Sequence, residues 1–316
     1  MQKSTAIGRI ETAVCGPWVQ RHPEPITGVP LLPRCRLAQQ LPRSPGMPHD
    51  LPSFTDLHSH LVPDVDDGAR SVEESLASLA ALRSEGVGAL VTTPHLLVPR
   101  LTSEAAIDRE LAVHREAFDE LADAVGQRSD LPALGLGQEI WAPDAATLLR
   151  VLDRPGAGLA GTRWLLVEFG FELQGTHEDV VRAAVAAGRG IIIAHPERYS
   201  YLPGIEPLEQ MRRWRGLGAL LQVNAGSFTG HYRNHTAGSE RLAWEMVAHG
   251  LVDLVATDHH GARRTGVSPL EAFGALAARG ERSLAERVMA GAPSEMMREA
   301  VFELGRAGVR SPGGAG

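Results

Sequence analysis

Residues 164–196 read WLLVEFGFELQGTHEDVVRAAVAAGRGIIIAHP and hold one complete strand–helix–strand unit. The apolar runs WLLVEF and GIIIAHP are typical of short buried strands. Between them, Thr176 and Asp179 open a predicted helix that stops at Gly188. Apolar strands that alternate with helices in this way indicate βαβ units. The stretch therefore predicts an α/β fold built on a parallel sheet.

The same alternation extends in both directions from this unit. Single strands are predicted at FTDL (54–57), GALVTTPH (88–95), ALGLGQEI (133–140), ALLQVNAG (219–226) and VDLVATDHH (252–260). Capped helices separate them: Ser71 opens a capping box with Glu74, Ser103 caps a long helix, and Ser268-Pro269 opens the closing helices. Further helices are predicted near 143–153, 206–216 and 236–249. About seven strand–helix units favour a barrel related to the (β/α)8 type over an open sheet.

The N-terminal segment differs from the rest in composition. Residues 1–52 are rich in Pro and Arg and show no periodic apolar pattern. Proline removes a backbone donor and interrupts both regular structures. We therefore expect a poorly ordered extension over 1–52, with a mis-assigned start codon as the alternative, and a barrel domain over 53–310.

Composition excludes several classes of protein. The 316 residues carry 31 Lys and Arg against 38 Asp and Glu, a net charge of −7 that argues against a nucleic-acid-binding surface. Two cysteines exclude a disulfide scaffold and fit a reducing compartment, so a cytoplasmic location is expected. We also expect no membrane insertion, because no apolar run approaches the roughly 20 residues of a membrane helix.

Imidazole and carboxylate side chains follow nearly every predicted strand. They are His58 and His60 after the first, His95 after the second, Glu139 and Glu168 after the third and fourth, His195 after the fifth, and Asp258, His259 and His260 after the seventh, while the sixth ends at Asn224. In parallel barrels the carboxyl ends of the strands form one rim that carries the chemistry. We therefore expect these side chains to converge.

Taken singly, each of these signals has an ordinary structural explanation. The pair His58 and His60 is also explained by two histidines at the surface. A carboxylate after an apolar strand is also explained by a salt bridge. Their joint occurrence at the strand ends favours metal binding, and these ligand types suit Mn, Fe and Zn. The candidates exceed the three protein ligands of one catalytic zinc, so two or three ions are expected. Clustered ions roughly 3.5–4 Å apart favour hydrolysis of phosphate esters.

The strand-end motifs resemble a known family. DLHSHLVPDVDDGARSVEESL, TTPH, GQEI, LLVEF, IIIAHPERY, LLQVNAGSFTG and ATDHHG are similar, in order, to motifs of the PHP (polymerase and histidinol phosphatase) superfamily. IIIAHPERY and LLQVNAGSFTG resemble the bacterial capsule and exopolysaccharide tyrosine-protein phosphatases within it. The resemblance spans roughly residues 54–265. It implies a distorted (β/α)7 TIM-like barrel with a trinuclear centre, often supplied with Mn²⁺, for which Fe and Zn are alternatives.

By matching motifs, the resemblance also implies roles for individual residues. The first ion takes His58, His60, Glu139 and Asp258; the second takes Glu139, Glu168 and His195; the third takes Asp67, His95 and His260. Arg198, in HPERY, is similar to the arginine that grips the phosphate. His260, His259 and Asp67 stay open as candidates for the general acid.

Some of these assignments involve a choice between neighbouring residues. Asp67 is preferred to Asp64 and Asp66 because it directly precedes Gly68, as the acidic ligand of the family does. The family pattern Asp-x-His is kept at Asp258-His259-His260, although a second histidine stands in its middle. The later arginine of that pattern is Arg264 in preference to Arg263. The N-terminal extension has no counterpart in the family.

A second phosphatase-like motif occurs near the N-terminus. Cys15 and Arg21 match C-x5-R, the loop of thiol-based tyrosine phosphatases. That loop joins a strand to a helix N-terminus, whose amides bind phosphate and lower the pKa of the thiol. No apolar strand precedes Cys15, and HPEPITGVP after it is incompatible with a helix. We interpret the match as a coincidence.

The expected activity is hydrolysis of phosphotyrosine by an attacking hydroxide, without a covalent enzyme intermediate. The resemblance implies a bacterial tyrosine kinase tail, controlling polysaccharide export, as the protein substrate. Tyr232, Trp141 and Phe171 either line a phosphotyrosine slot or pack in the core. The alternatives are a PHP phosphatase for a small ester such as histidinol phosphate or a sugar phosphate, a PHP exonuclease, and a non-catalytic regulator that has lost its metals.

Overall fold

The computed structural model describes residues 51–126, 128–173, 175–232, 238–261 and 267–302. The predicted extension lies outside these ranges except for its last two positions. Arg263, Arg264 and Cys15 also lie outside the described residues. Within these ranges, no helix combines the length and the apolar character that a membrane crossing requires.

Short strands and helices alternate along the described chain. The strands are β1 (Phe54–Asp56), β2 (Val87–Thr92), β3 (His95–Leu96), β4 (Ala133–Leu136), β5 (Glu139–Trp141), β6 (Trp164–Glu168), β7 (Gly190–Ala194), β8 (Leu220–Asn224) and β9 (Leu254–Ala256). The helices are α1 (Val72–Ser84), α2 (Glu104–Gly126), α3 (Ala145–Leu149), α4 (Glu178–Ala186), α5 (Pro207–Gly216), α6 (Ala225–Thr229), α7 (Ser239–Ala248), α8 (Pro269–Ala278), α9 (Arg282–Glu286) and α10 (Ala292–Met296). Three-residue 3-10 turns occur at Val98–Arg100, Leu159–Gly161 and Pro196–Arg198, and Arg287–Gly291 is a π-helical turn.

Local sequence explains where the main helices begin. The Ser71 hydroxyl accepts the backbone N–H of Glu74 at 3.3 Å, which satisfies one of the free donors of α1. The Ser268 hydroxyl does the same for Glu271 at 3.1 Å, and Pro269 occupies the first turn of α8. The Ser103 hydroxyl accepts the backbone N–H of Ala106 at 3.1 Å, so all three predicted caps are confirmed.

The strands pair in parallel in two sheets. The first sheet has the order β1-β2-β4, and the second has the order β3-β5-β6-β7-β8-β9. The predicted α/β class with a parallel sheet is confirmed. All carboxyl ends of one parallel sheet lie on the same edge, which is where the candidate ligands follow the strands.

Two predicted strands are wrong as single elements. GALVTTPH contains β2 and then β3, and ALGLGQEI contains β4 and then β5, with the second half of each in the other sheet. Pro94 lies at the first break and lacks the N–H that a continuous ladder needs. Gly137 lies at the second break, where an added Cβ would stand 2.6 Å from Leu159 Cδ2. The backbone hydrogen bonds cross the breaks, since Gly137 N donates to Thr92 O at 2.9 Å.

The two sheets also meet beyond β1 and β9. Ser59 and His259 form an isolated parallel bridge, in which His60 N donates to His259 O at 2.7 Å. Asp258 N donates to His58 O at 2.8 Å in the same place. The segments that follow β1 and β9 therefore lie side by side.

Buried apolar side chains form two clusters, one on each face of the strands. One cluster joins alternate residues of both sheets, such as Ala89, Leu166 and Ile192, with Met297 and Phe302 near the end of the described chain. The other contains the intervening residues and the helices that cover them. Burial on both faces explains why the strands read as continuous apolar runs.

The segment after β8 also differs from its prediction. ALLQVNAG was expected to be a strand throughout, but β8 ends at Asn224 and α6 begins at Ala225. The backbone N–H of Asn224 donates to Glu197 Oε1 at 2.9 Å instead of to a neighbouring strand. The helix expected over 143–153 is α-helical only over α3, and that expected over 236–249 is α7, with 236–237 outside the described residues.

Candidate metal centre

The candidate ligands lie at the carboxyl ends of the strands. His58 and His60 follow β1, while His95 and Glu139 follow β2 and β4 and open the short strands β3 and β5. Glu168 is the last residue of β6. His195 follows β7 directly, and Asp258 and His260 follow β9. Sequence positions from 58 to 260 are therefore gathered at one edge of the strands.

The centre of the cluster is formed by two imidazoles and two carboxylates. The Nε2 atoms of His58 and His60 lie 3.2 Å apart, and each lies 3.2 Å from Asp258 Oδ1. Glu139 lies close to both imidazoles, with Oε1 at 3.4 Å from His58 and Oε2 at 3.3 Å from His60. All four residues are buried.

Two further imidazoles lie against Glu139. His195 Nε2 lies 2.9 Å from Glu139 Oε1, and His95 Nδ1 lies 2.9 Å from Glu139 Oε2. Glu168 Oε1 is 3.9 Å from His95 Nδ1. Glu139 is therefore the carboxylate that the largest number of candidate ligands share, as a bridging ligand would be.

Asp67 lies at the exposed side of the cluster. Its Oδ1 is 3.5 Å from His95 Nε2 and 3.4 Å from His260 Nε2, and its side chain is 49% exposed. Hydrogen bonds from His260 and then His95 hold the pKa of Asp67 well below its usual range. These three residues were expected to share one ion.

Four groups of side chains bring their ligand atoms within 4.8 Å of one another. They are His60, Asp67, His95 and His260; His58, His60 and Glu139; His58, His195 and Asp258; and His95, Glu139 and Glu168. Every metal ligand expected from the sequence belongs to at least one group. The groups differ in part from the assignment of ligands to three ions that the resemblance implies. His195 was assigned with Glu139 and Glu168, whereas here it is grouped with His58 and Asp258.

The hydrogen bonds around His58 determine which of its nitrogens is free. Asp258 Oδ2 accepts the side-chain amide of Asn224 at 2.8 Å, and Asn224 Oδ1 accepts that of Gln222 at 2.8 Å. Gln222 therefore presents Oε1 to His58 Nδ1 at 2.9 Å, which must carry the proton. The Nε2 atom of neutral His58 is left as a lone pair directed into the cluster.

His60 is oriented in the same way by a different residue. Its Nδ1 lies 2.7 Å from Asp66 Oδ2, so its Nε2 is also a lone pair in the neutral ring. Asp66 Oδ2 accepts the backbone N–H of His95 at 3.1 Å as well. Asp66 is thus occupied as an orienting group, whereas Asp67 is the neighbouring acid that lies among the ligand atoms. Within the described chain, Asp64 belongs to none of the ligand groups.

A cation fits this arrangement, because acceptor atoms face each other. The lone pairs of His58 and His60 converge on Asp258 Oδ1, where a proton or a positive ion is needed to offset their repulsion. Glu139 Oε2 and His95 Nδ1 are buried 2.9 Å apart, and neither makes a hydrogen bond of good geometry with the described residues. Imidazole and carboxylate donors suit Mn²⁺, Fe²⁺ and Zn²⁺.

The pKa values reflect the same crowding of charge. Burial raises the pKa of Glu139, but the positive charge that His58 and His95 carry when they are protonated outweighs it and holds the pKa well below the usual range. Burial, followed by the charge of Glu139, raises the pKa of Glu168 to about 8. Carboxylates this close repel each other, and a divalent ion between them removes that repulsion.

Two ligand positions carry unusual backbone geometry. His195 has φ 34° and Asp258 has φ 52°, in the left-handed region that residues other than glycine seldom adopt. Such strain persists only where surrounding contacts hold it, and it is concentrated at functional sites. Asp258 is held by backbone and side-chain hydrogen bonds to His58 and Asn224.

Arg198 is the arginine that lies against the cluster. Its Nη1 donates to Asp258 Oδ2 at 2.7 Å, whereas its buried Nε has no hydrogen-bond partner among the described residues. Burial lowers the pKa of Arg198, but Asp258 and other nearby acids outweigh that effect, so the guanidinium stays charged. Arg264, expected to assist, lies outside the described residues.

Three positioning residues were not recognised as such in the sequence. Gln222 and Asn224 orient His58 and Asp258, and Asp66 orients His60. The available signal was the strand LLQVN, in which two amides two residues apart interrupt an apolar run and share one face. Buried amides on a strand require specific partners.

Gln222→Leu is expected to weaken metal binding about 10- to 100-fold, because His58 then loses the group that orients its ring. Titration with Mn²⁺ by calorimetry measures the effect. Gln210→Leu is the matched control, since Gln210 is equally buried but donates to Thr176 O at 3.2 Å. Unchanged Mn²⁺ affinity in the Gln222→Leu variant would contradict this role.

Comparison with known proteins agrees with the resemblance drawn from the motifs. Residues 54–298 match the family described as capsular polysaccharide synthesis, CpsB/CapC. The chain is 31% identical over 212 residues to tyrosine-protein phosphatase CpsB of Streptococcus pneumoniae, covering 65% of this chain and 82% of that protein. It is 26% identical over 220 residues to tyrosine-protein phosphatase YwqE of Bacillus subtilis, covering 69% and 82%.

A solved structure gives the same relationship at the level of fold. This structure is described as one of YwqE from Bacillus subtilis and CpsB from Streptococcus pneumoniae, unique metal-dependent tyrosine phosphatases. It matches with a TM-score of 0.63 and 23% identity, covering 78% of this chain and 94% of the other. The predicted family relationship is confirmed. The chain belongs to the CpsB/CapC family of capsular polysaccharide synthesis.

Proposed function

We propose that this chain is a metal-dependent protein-tyrosine phosphatase. The observation that carries the proposal is the position of Arg198, whose Nη1 lies 2.7 Å from Asp258 Oδ2 at the edge of the ligand cluster. An arginine beside clustered metal ligands suits a phosphoryl group, because its planar fork binds two phosphate oxygens. Relatives in the family are named tyrosine-protein phosphatases.

Two or three divalent ions, with Mn²⁺ as the first choice, complete the proposed centre. The proposed ligands are His58, His60, Asp67, His95, Glu139, Glu168, His195, Asp258 and His260. Bound divalent ions supply positive charge that polarises a phosphoryl oxygen and makes water a nucleophile at neutral pH. The overlapping ligand groups support more than one ion, since Glu139 and Asp258 each face several imidazoles.

Arg198 binds the phosphoryl group and stabilises the charge that develops on its oxygens. Asp258 holds one guanidinium nitrogen, which fixes the plane of the fork. Donors fixed before the reaction stabilise a transition state without reorganising during it. Arg264, on the segment after Gly261, is proposed as a second phosphate-binding arginine.

The leaving phenol needs little assistance, because its pKa is near 10. His260 Nδ1 donates to Asp258 O at 2.8 Å, so the Nε2 of its neutral ring faces Asp67 as a lone pair, as the proposed role of a ligand requires. His259 is unsuited to act as the proton donor. Burial, followed by the charge of His260, lowers its pKa to about 4, and its Nδ1 accepts the Gly261 N–H at 3.0 Å.

The proposed framework is a distorted (β/α)7 barrel that occupies residues 53–310, with residues 1–52 as an extension. We count β2 and β3 as one strand with a break, and likewise β4 and β5. The nine strands then occupy seven positions around the barrel. The bridge between Ser59 and His259 supports closure, because it joins the first position to the last. The apolar cluster shared by both sheets is then the interior of the barrel.

The proposed physiological substrate is the phosphorylated tail of a bacterial tyrosine kinase that regulates capsule or exopolysaccharide synthesis. The family relationship supports this proposal. The cluster lies at strand ends, where a flexible peptide has access. Asp67, with a side chain 49% exposed, marks the open side.

With Mn²⁺ added, we expect kcat/KM for a phosphotyrosine peptide to exceed that for histidinol phosphate or a sugar phosphate by about tenfold or more. The expected preference follows from the aryl leaving group and from contacts to the tyrosyl ring. Release of inorganic phosphate from each substrate under identical conditions measures it. A higher kcat/KM for histidinol phosphate would instead support a phosphatase for small esters.

A further inference from the structure

Phe171 is a large apolar side chain that remains exposed beside the ligand cluster. Its side chain is 54% exposed, and its ring lies parallel to that of His195, with a 13° interplanar angle and 6.1 Å between centroids. Three other exposed apolar residues, Val113, Leu149 and Val185, lie on helices. An aromatic ring left open at the edge of a polar site is available for contact with a ligand.

The backbone on both sides of Phe171 is fixed. Ser200 N donates to Phe171 O at 2.6 Å, and Leu173 N donates to Ser200 O at 3.1 Å. These bonds tie the segment after β6 to the segment after β7, which carries Arg198. Gly170 turns the chain with φ 88°. The exposed ring is thus presented by a defined loop.

Phe171 and Tyr232 both lie close to the charged end of Arg198. Arg198 Cζ lies 5.2 Å from the Phe171 centroid and 4.3 Å from the Tyr232 centroid, distances typical of cation–π contacts. The two rings differ in exposure, because Tyr232 is only 8% exposed and its hydroxyl accepts the side-chain amide of Asn224 at 3.2 Å. Tyr232 is a packing partner of Arg198, whereas Phe171 has free surface.

The chemistry of an aryl phosphate places its ring next to that surface. A single ester oxygen separates phosphorus from the ring. When Arg198 holds the phosphoryl group, the ring of the ester therefore stays close to the guanidinium and to Phe171. An alkyl ester offers no flat face to Phe171. Stacked or edge-to-face aromatic pairs are favourable beyond the burial of area alone.

We propose that Phe171 is a specificity-determining residue that selects aryl over alkyl phosphate esters through contact with the leaving-group ring. The inference rests on the proposed phosphatase function and assigns one of its substrate contacts. Phe171 takes no part in the bond-breaking step. Its effect therefore depends on the shape of the leaving group and is independent of the acidity of that group.

The test compares two esters whose leaving groups are similarly acidic, phenyl phosphate and hexafluoroisopropyl phosphate, with the Mn²⁺-loaded full chain. Phe171→Leu is expected to lower kcat/KM for phenyl phosphate about tenfold. The change for the fluoroalkyl ester is expected to stay within about twofold. Phe171→Tyr keeps the ring and is expected to restore the preference for the aryl ester.

Leu149→Ala is the control, because Leu149 is 59% exposed but lies on α3. It is expected to leave both rates unchanged. An equal loss on both esters in Phe171→Leu, or an unchanged aryl preference, would overturn the inference while the wild type stays active. A wild-type chain that hydrolyses neither ester contradicts the proposed function itself, and this inference with it.

Discussion

Glu139→Gln is expected to reduce hydrolysis of phenyl phosphate by about a thousandfold, equivalent to roughly 4 kcal/mol of transition-state stabilisation. Glu139 faces four imidazoles: His58 at 3.4 Å, His60 at 3.3 Å, and His95 and His195 at 2.9 Å. A neutral amide keeps the shape of the side chain but removes the negative charge that these rings and the proposed ions share. Steady-state kinetics at saturating Mn²⁺ measures the loss.

The same variant needs a control for folding and for metal content. Glu209→Gln changes a surface glutamate that pairs with exposed arginines of α5, at 3.5 Å and 3.7 Å, and it is expected to keep full activity. Thermal unfolding and metal quantification of Glu139→Gln separate a lost site from a lost fold. A folded Glu139→Gln variant with full activity would remove Glu139 from the proposed centre.

The parts of the fold that local sequence could predict are those that depend on local chemistry. The strands in WLLVEF and GIIIAHP, the helix between them and the serine caps of α1 and α8 all appear in the structure. Burial on two faces makes a parallel strand apolar throughout, and a serine side chain satisfies a free helix donor. Neither effect needs information about distant residues.

The strand breaks could not be predicted, because apolar character reports burial and does not report the pairing partner. GALVTTPH is buried along nearly its whole length, yet β2 pairs with β1 and β4 while β3 pairs with β5. The position of α6 depended in the same way on Glu197, which lies 27 residues from the Asn224 N–H that it accepts.

In the candidate site, too, some residues could be predicted from local sequence and others could not. Residues at strand ends could be identified because a parallel sheet brings all its carboxyl ends to one edge. The orienting residues could not, since Gln222 is 164 residues away from His58 in the chain, and neighbouring Asp66 and Asp67 differ only in the direction of their side chains. Local sequence does not predict the direction in which a side chain points.

Dialysis against EDTA is expected to abolish hydrolysis of p-nitrophenyl phosphate and to lower the midpoint of thermal unfolding. Removing bound ions leaves Glu139 and Asp258 buried and leaves the Nε2 atoms of His58 and His60 facing each other at 3.2 Å. A ligand that binds only the folded state stabilises it by mass action, so its removal destabilises the protein. Mn²⁺ is expected to restore both properties, and metal analysis before and after dialysis gives the stoichiometry.

Cys15→Ser distinguishes metal-dependent hydrolysis from the thiol mechanism that the C-x5-R match would imply. A thiol nucleophile requires no ion, so a thiol phosphatase keeps its activity in EDTA and loses it on Cys15→Ser. The metal centre predicts the opposite pair of results: no activity in EDTA, and wild-type activity in Cys15→Ser. Full activity after complete metal removal would contradict the proposed role of His58, His60, Glu139 and Asp258, because these buried residues would then have no ion to bind.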